Sequence, residues 1–274
     1  MEFKKLKVSD FARPYTKVSK DELIQQAFLL LEGRRETHLV VYEDKPIGVV
    51  SYKDFLRILS DRLRRRSLSK LYVSSLMTEK LRIIDADASI VEAAQKMDFW
   101  GISSLLVKEK GKVTKIITKK DILSKVDLFP NFEVKFLMTE NPKVVSPGSS
   151  LNYAESLIRD YKISTLPVVE NDSLIGYLDI YIFTAFLMDV LTNPDVKHPQ
   201  RLLKEVVVGD IMKGAFYVTP ETKIHDFGRE VVRKKYKGAP VVVSEQNKRI
   251  IGVITETDFI KFLAGKKQIG EIKT

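Results

Sequence analysis

Cysteine is absent from the 274 residues, which excludes disulfides, thiolate nucleophiles and thiolate metal sites and fits a reducing interior or a hot habitat equally well. Histidine is scarce. His38, His198 and His225 have no second ligand or nucleophile at useful spacing, so they read as structural. Neither a Walker loop nor Gly-x-Gly-x-x-Gly occurs, which excludes phosphate transfer by those devices. Long apolar runs are missing too: the greasiest segment, 180–190, is too short to span a bilayer and contains Asp189. The first ten residues are charged and lack the apolar stretch of a signal peptide. The reading is a cytoplasmic protein with no membrane partner.

With 44% hydrophobic and 30% charged residues, the composition is that of a globular chain rather than a disordered or fibrous one. The length suits two domains or one large one. Lys plus Arg number 46 against 36 Asp plus Glu, and this surplus of basic charge points to phosphate-bearing partners without choosing among nucleotide, nucleic acid and anionic surface.

One phrase recurs four times. Gly48-Val49-Val50-Ser51-Tyr52-Lys53-Asp54 and Gly252-Val253-Ile254-Thr255-Glu256-Thr257-Asp258 share glycine, two aliphatics, a hydroxyl residue, two variable positions and an aspartate. Lys115-Ile116-Ile117-Thr118-Lys119-Lys120-Asp121 lacks only the glycine, whereas Gly176-Tyr177-Leu178-Asp179-Ile180-Tyr181-Ile182 keeps it and loses both polar residues. The closing positions 54, 121, 182 and 258 lie 67, 61 and 76 residues apart, the period of a repeat architecture.

Before each copy comes an aliphatic strand and a polar turn, which reads as a β-hairpin. Further upstream runs an amphipathic helix, clearest in Ile90, Ala93, Ala94 and Met97 at i, i+3, i+4, i+7. Ser89 with Glu92, and Ser19 with Glu22, are expected to form capping boxes at two of these helix starts. A short extended piece precedes the helix, as in Ile83-Ile84-Asp85, and another apolar helix follows the aspartate. Each unit is therefore strand, helix, strand, strand, helix. Alone it buries its sheet poorly, so neighbours are expected to pair, giving repeats at 1–66, 67–128, 129–192 and 193–274. The module boundary is expected near 127–131, and the polar connection 193–205, with Pro194 and Pro199, on the surface.

This order, the Gly-h-h-Ser/Thr-x-x-Asp ending and the leaders Leu76-Met77-Thr78, Leu137-Met138-Thr139 and Ile211-Met212-Lys213 resemble the cystathionine β-synthase (CBS) domain over nearly the whole chain. Repeat one departs at its front, where Val8-Ser9-Asp10-Phe11-Ala12 lacks the methionine. The resemblance implies an α/β (α+β) fold of four βαββα repeats paired into two Bateman modules. It also implies regulatory binding of AMP, ADP, ATP or S-adenosylmethionine between paired repeats, with no catalytic domain and no other cofactor.

The motif suits such a ligand. A hydroxyl at the strand-to-helix bend stands beside helix N–H groups without intrahelical partners, where the dipole contributes about 0.3–1 kcal/mol to an anion and a charge-assisted hydrogen bond about 1.5–3 kcal/mol. An aspartate three residues on can accept both hydroxyls of a ribose. Thr255/Asp258, Thr118/Asp121 and Ser51/Asp54 are the candidates; equally, Ser or Thr followed by an acid three residues on is an ordinary helix start. For the adenine slot the resemblance assigns Val218, Thr219, Pro220, Gly238, Ala239 and Pro240 in repeat four, and Ile84, Ile102 and Ser103 in repeat two. In repeat three, Asp179 would repel phosphate and Ile182 accepts no ribose hydroxyl, so that pocket is expected to be empty or to bind something else. Lys115 would either reach a phosphate or crowd its cleft.

The leading reading is thus a non-enzymatic sensor, homodimeric through exposed helical faces, that passes nucleotide occupancy to a regulated protein partner. The alternative is a nucleic-acid-binding protein using the basic runs 62–66 and 233–237, or a structural module whose motifs are helix caps.

Overall fold

The computed structural model describes residues 2–65, 71–193, 195–214 and 216–267. Repeat one comprises β1 (Arg13–Pro14), β2 (Lys17–Val18), α1 (Ile24–Gly33), β3 (His38–Tyr42), β4 (Pro46–Ser51) and α2 (Tyr52–Arg65). Repeat two has β5 (Ile83–Asp85), α3 (Ile90–Trp100), β6 (Ser104–Glu109), β7 (Lys112–Thr118) and α4 (Lys119–Leu123). Repeat three has β8 (Thr139–Glu140), α5 (Leu151–Asp160), β9 (Thr165–Glu170), β10 (Ser173–Asp179) and α6 (Ile180–Thr192). After α7 (Pro199–Glu205) and α8 (Val208–Ile211), repeat four follows as β11 (Lys213–Gly214), α9 (Ile224–Lys234), β12 (Gly238–Val242), β13 (Ile250–Thr255) and α10 (Glu256–Leu263). The expected hairpins form as antiparallel pairs β3/β4, β6/β7, β9/β10 and β12/β13. The short first strand adds in parallel, β2 on β3 and β5 on β6, reduced to single bridges Val145–Val168 and Val218–Val241 in the second module.

The segments ahead of each repeat do not stay with it. β1 pairs with β7 of repeat two, and Thr78, ahead of repeat two, bridges Val49 of repeat one. In the same way β8 pairs with β13 and β11 with β10. The exchange also starts the helices. The Ile24 N–H donates to Leu71 O at 3.0 Å, Ile90 N–H to Leu6 O at 2.9 Å and Ile224 N–H to Phe132 O at 2.8 Å, each acceptor lying in the partner repeat's leader. Ser89 accepts Glu92 N–H at the start of α3, but the box is only half formed, since the Glu92 carboxylate pairs with Lys96 at 2.9 Å. Ser19 does not cap α1: its hydroxyl accepts from Asp21 N–H, and the helix begins later, at Ile24, under the partner's Leu71.

The exchange gives the recurring glycine its role. A Cβ at Gly48 would meet Met77 Sδ at 2.9 Å; at Gly176, Lys213 O at 2.7 Å and Met212 Sδ at 2.9 Å; at Gly252, Met138 Sδ at 3.0 Å and Thr139 O at 3.1 Å. Each glycine lies under the methionine of its partner's leader. Repeat two carries Lys115 instead, and its partner's leader is the one with no methionine. The two departures from the motif are one compensated change.

Two large apolar clusters each cross the modules, while a small third one, Val40 with Leu106 and Ile116, joins repeats one and two. One large cluster joins repeats one and three, with Phe28, Phe55 and Leu59 against Phe183 and Leu187; the other joins repeats two and four, with Ala94, Met97 and Leu123 against Phe227, Phe259 and Leu263. Accordingly α2 packs on α6, and α3 and α4 pack on α10. The helical faces expected to join two copies of the chain are used here between its own modules. The boundary segment near 127–131 is likewise no free linker, since the buried Phe129 ring lies 5.2 Å from Phe259. In the connection 193–205, Pro199 opens α7 and Pro194 lies outside the described residues.

Replacement of Gly176 by alanine drives a Cβ into the rigid Lys213 carbonyl, whereas Gly48→Ala meets only the flexible Met77 side chain. Thermal unfolding should show Gly176→Ala destabilised by about 1–3 kcal/mol and Gly48→Ala by clearly less; equal losses would remove the leader crossing as the reason for the glycines.

Candidate functional site

In three repeats the strand-to-helix bend is built alike. The Ser51 N–H and hydroxyl donate to Asp54 Oδ2 at 2.8 and 2.7 Å, those of Thr118 to Asp121 Oδ2 at 2.9 and 2.7 Å, and those of Thr255 to Asp258 Oδ2 at 2.9 and 2.7 Å. One carboxylate oxygen therefore belongs to the helix start. The other, Oδ1, is the part of the motif left to meet something else. The helix N–H groups expected to receive phosphate are partly taken: Lys119 N–H donates to Ser103 O at 3.0 Å, Ile180 N–H to Ser164 O at 3.0 Å and Glu256 N–H to Lys237 O at 3.2 Å. Attraction for an anion has to come from side chains.

The three Oδ1 atoms have different partners. Asp54 has the Thr78 hydroxyl at 3.4 Å and the Arg57 guanidinium at 3.9 Å, and burial pushes its carboxyl up from the ordinary range. Asp121 accepts from Arg13 Nε at 2.7 Å, and the rest of that guanidinium is clamped on Glu36 at 2.8 and 2.6 Å. The Thr118/Asp121 pair is thus already satisfied by an arginine fixed in β1. Asp258 accepts from the Thr139 hydroxyl at 3.1 Å and from Lys267 Nζ at 2.7 Å.

Because the leaders cross over, each bend faces the partner repeat. The Asp258 bend opens on a cavity of about 350 Å³ whose far wall is Asn141, Pro142, Tyr161, Ile163 and Thr165 of repeat three. The Ser51/Asp54 bend opens on about 180 Å³ walled by Thr78, Leu81, Ile102 and Ser103 of repeat two. The residues expected for a same-repeat adenine slot do not lie together at these cavities. Ile102 and Ser103 do line a cleft, but that of Asp54, while Ile84 is 2% exposed in the core. Val218, Thr219, Pro220, Gly238, Ala239 and Pro240 do not line the Asp258 cavity. Val218 pairs with Val241, Thr219 N–H donates to the Thr222 hydroxyl, Pro220 O accepts from Lys135, and Gly238, Ala239 and Pro240 lie in the ladder opposite Thr255, Ile254 and Val253.

Repeat three departs as its sequence implies. Asp179 is 1% exposed, and its Oδ1 accepts Tyr181 and Ile182 N–H, both at 2.9 Å, so it serves as a plain helix cap. Burial raises its carboxyl to about 6, against Lys237 and those N–H groups, which favour the charged form.

The bends converge on the centre of the molecule. A small cavity of about 40 Å³ is lined there by residues of all four repeats, among them Lys53, Lys119, Lys162, Lys237 and His38. Lys162 and Thr257 also line the Asp258 cavity, and Lys53, His38 and Ser103 that of Asp54, so both clefts lead inward to it. Glu256, paired with Lys237 at 2.9 Å, is the acid at this centre. Burial, reinforced by Lys53 and Lys237, brings the Lys119 ammonium down to about 8; burial likewise lowers Lys53 and holds His38 well below its usual range. These lysines, Arg13 and Lys267 were not legible as site residues. The lysines at the motif's variable positions were the available signal.

Other candidates resolve structurally. His38 bridges Thr37 and Ser103, both at 2.8 Å, and His225 Nε2 lies 2.8 Å from Phe129 O. Lys115 pairs with Glu109 at 3.0 Å on a strand held between β1 and β6, and it lines none of the three cavities described. In the basic run 233–237, Arg233 and Lys234 pair with Glu230, Lys235 with Glu32 and Lys237 with Glu256. In the run 62–66, Arg66 and the side chains of Arg62, Leu63, Arg64 and Arg65 lie outside the described residues. Among the described residues no helix is long and apolar enough to cross a membrane.

Four βαββα repeats in two leader-exchanged modules define a tandem Bateman fold. The CBS domain family matches the chain at 8–61, 73–127, 133–187 and 208–265, and the chain belongs to that family. Protein MJ1225 of Methanocaldococcus jannaschii is 24% identical over 266 residues, 88% of this chain and 92% of its own. Its crystal structure, described as that of a proposed archaeal homologue of g-AMPK, shares the fold at a TM-score of 0.80 and 20% identity, covering 94% of this chain and 100% of that one. MJ1232 of the same organism is 30% identical over 146 residues, which are 53% of this chain; the chain spans 44% of the length of that relative.

Asp179→Asn keeps an acceptor for both N–H groups and removes a desolvated charge. The folded carboxyl titrates near 6 against an ordinary 3.8, so its protonated form adds stability below about pH 4 that is lost as pH rises through 6. The Tm of the unmodified chain should therefore fall relative to Asp179→Asn between pH 4.5 and 7, each kcal/mol counting for about 2–4 °C; a constant difference would contradict a buried charged cap.

Proposed function

We propose that this chain is a non-enzymatic regulatory sensor of adenine nucleotide, binding it in the Asp258 and Asp54 clefts. The observation that carries this is the cross-repeat geometry: one repeat offers a carboxylate oxygen, its partner faces it with an apolar wall, and the cleft leads to a lysine-rich centre. In the larger cleft the adenine lies along Pro142, Ile163 and Val253, the ribose hydroxyls donate to Asp258 Oδ1, and phosphate extends past Thr257 toward Lys162 and Lys119. Two or three charge-assisted hydrogen bonds at about 1.5–3 kcal/mol each support roughly micromolar binding. The cationic centre favours AMP, ADP and ATP over S-adenosylmethionine, whose sulfonium adds positive charge to positive charge.

The hydroxyls of Ser51, Thr118 and Thr255 donate to helix-capping carboxylates, which supports a binding role rather than a nucleophilic one. A ligand spanning two repeats favours the arrangement in which both walls are in place, and a regulated protein partner can read that preference. The pairing of Arg233, Lys234, Lys235 and Lys237 with acids leaves little free charge there for nucleic acid.

Calorimetry with AMP, ADP, ATP and S-adenosylmethionine tests the reading. The phosphate-bearing ligands should bind, with Asp54→Ala weakening one class of site about ten- to a hundredfold; silence toward all four would eliminate it. The pH dependence is separate. Lys119 loses its proton as pH rises through about 8, while the phosphate, with its second pKa near 6, keeps its charge. AMP affinity should decline from pH 7 to 9, and Lys119→Met should flatten that decline; a steeper decline in the variant would assign the effect to another group.

A further inference from the structure

Among the acids that close the repeated motif, Asp258 is held by a residue beyond the last helix of its own repeat. Lys267 lies four residues beyond the end of α10, after Gly265 at φ +79°. Its ammonium donates to Asp258 Oδ1 at 2.7 Å, to Leu137 O, and to the Thr139 hydroxyl at 3.5 Å, so all three of its protons have acceptors. The pair is substantially buried, with 22% and 6% of the side chains exposed. The occupied atom is the oxygen that the nucleotide reading assigns to the ribose.

Arg13 fills the equivalent place on Asp121, but the two occupants are held differently. Arg13 belongs to a strand, in register with Ile116, and its guanidinium is clamped on Glu36 as well. Lys267 itself lies in neither a strand nor a helix, and is tied through Lys266, whose ammonium meets Asp98 of α3 at 2.6 Å and whose N–H donates to Lys261 O at 2.8 Å. The arginine occupies its carboxylate oxygen as part of the fold. The lysine occupies its carboxylate oxygen, at the margin of an otherwise open cavity, by side-chain contacts that another donor can replace. A buried carboxylate left without a partner is costly, so release of Lys267 requires an occupant that restores the hydrogen bonds, as two ribose hydroxyls do.

We propose that Lys267 is an intramolecular competitor for Asp258 Oδ1, seated on the ribose-binding oxygen of the cleft until an adenine nucleotide displaces it. This rests on the proposed function. It adds that the Asp258 cleft binds with lower apparent affinity than its contacts allow, and that filling it frees a segment tied through Asp98 to the other module. A tail seated in about nine molecules of ten raises the apparent Kd about tenfold.

The test uses the full chain in an Asp54→Ala background, so that the Asp258 cleft is read separately, with AMP as the probe. Lys267→Met should bind AMP about three- to tenfold more tightly than its Lys267 parent. In the parent, AMP should accelerate tryptic cleavage after Lys266, followed by mass spectrometry. Equal or weaker binding by Lys267→Met, with cleavage unaffected by AMP, would overturn the competition while leaving nucleotide binding standing. Absence of AMP binding to these proteins and to the unmodified chain would overturn the nucleotide reading, and the competition with it.

Discussion

Each leader segment gives its backbone hydrogen bonds to a repeat other than its own, and the rest of the architecture follows from that exchange. The leader extends the partner's hairpin, as β8 does on β13 and β11 on β10, and in repeats one, two and four the partner's leader places a carbonyl over the first helix N–H. A repeat without its partner would lose a sheet edge and a helix start together. The close crossing requires a residue without a side chain beneath the leader methionine, and it turns each strand-to-helix bend toward the neighbouring repeat's wall. Cleft and fold are products of one contact.

A second consequence is electrostatic. Four bends brought to one centre gather Lys53 and Lys119, which follow two of them, with Lys162 and Lys237 around one small cavity. Burial, reinforced by mutual repulsion, pushes Lys119 and Lys53 toward the neutral form, with Glu256 offsetting part of the charge. Such a cationic centre favours an anion, and in the proposed reading phosphate groups supply it. The four acids have meanwhile diverged: Asp179 is an internal cap, Asp121 is sealed by Arg13, Asp258 is held by the tail and Asp54 has only long contacts.

The repeat, its element order and the hairpins were legible because they are local: hydrophobic period, turn residues and hydroxyl caps act within a few positions of one another. The buried face Ile90, Ala93, Ala94, Met97 is such a case. The partner of each bend was not legible, because nothing in Thr255-Glu256-Thr257-Asp258 says that Pro142 and Ile163, over ninety residues away, form the opposite wall. The same limit hid Arg13 and Lys267, single cations distant in sequence from the carboxylates they occupy. The Ser19 cap failed for a related reason, a tertiary carbonyl displacing a local motif. One signal was present but unused: the loss of glycine at Lys115 and of methionine in the first leader are paired departures, and such pairs mark contacts.

A crystal structure of the chain with AMP tests the cross-repeat cleft most directly. The account predicts the ribose on Asp258 Oδ1 of repeat four with the adenine against Pro142 and Ile163 of repeat three, and phosphate directed toward Lys162 and Lys119. An adenine held instead between Val218–Pro220 and Gly238–Pro240 of repeat four, with its ribose on Asp258, would contradict it.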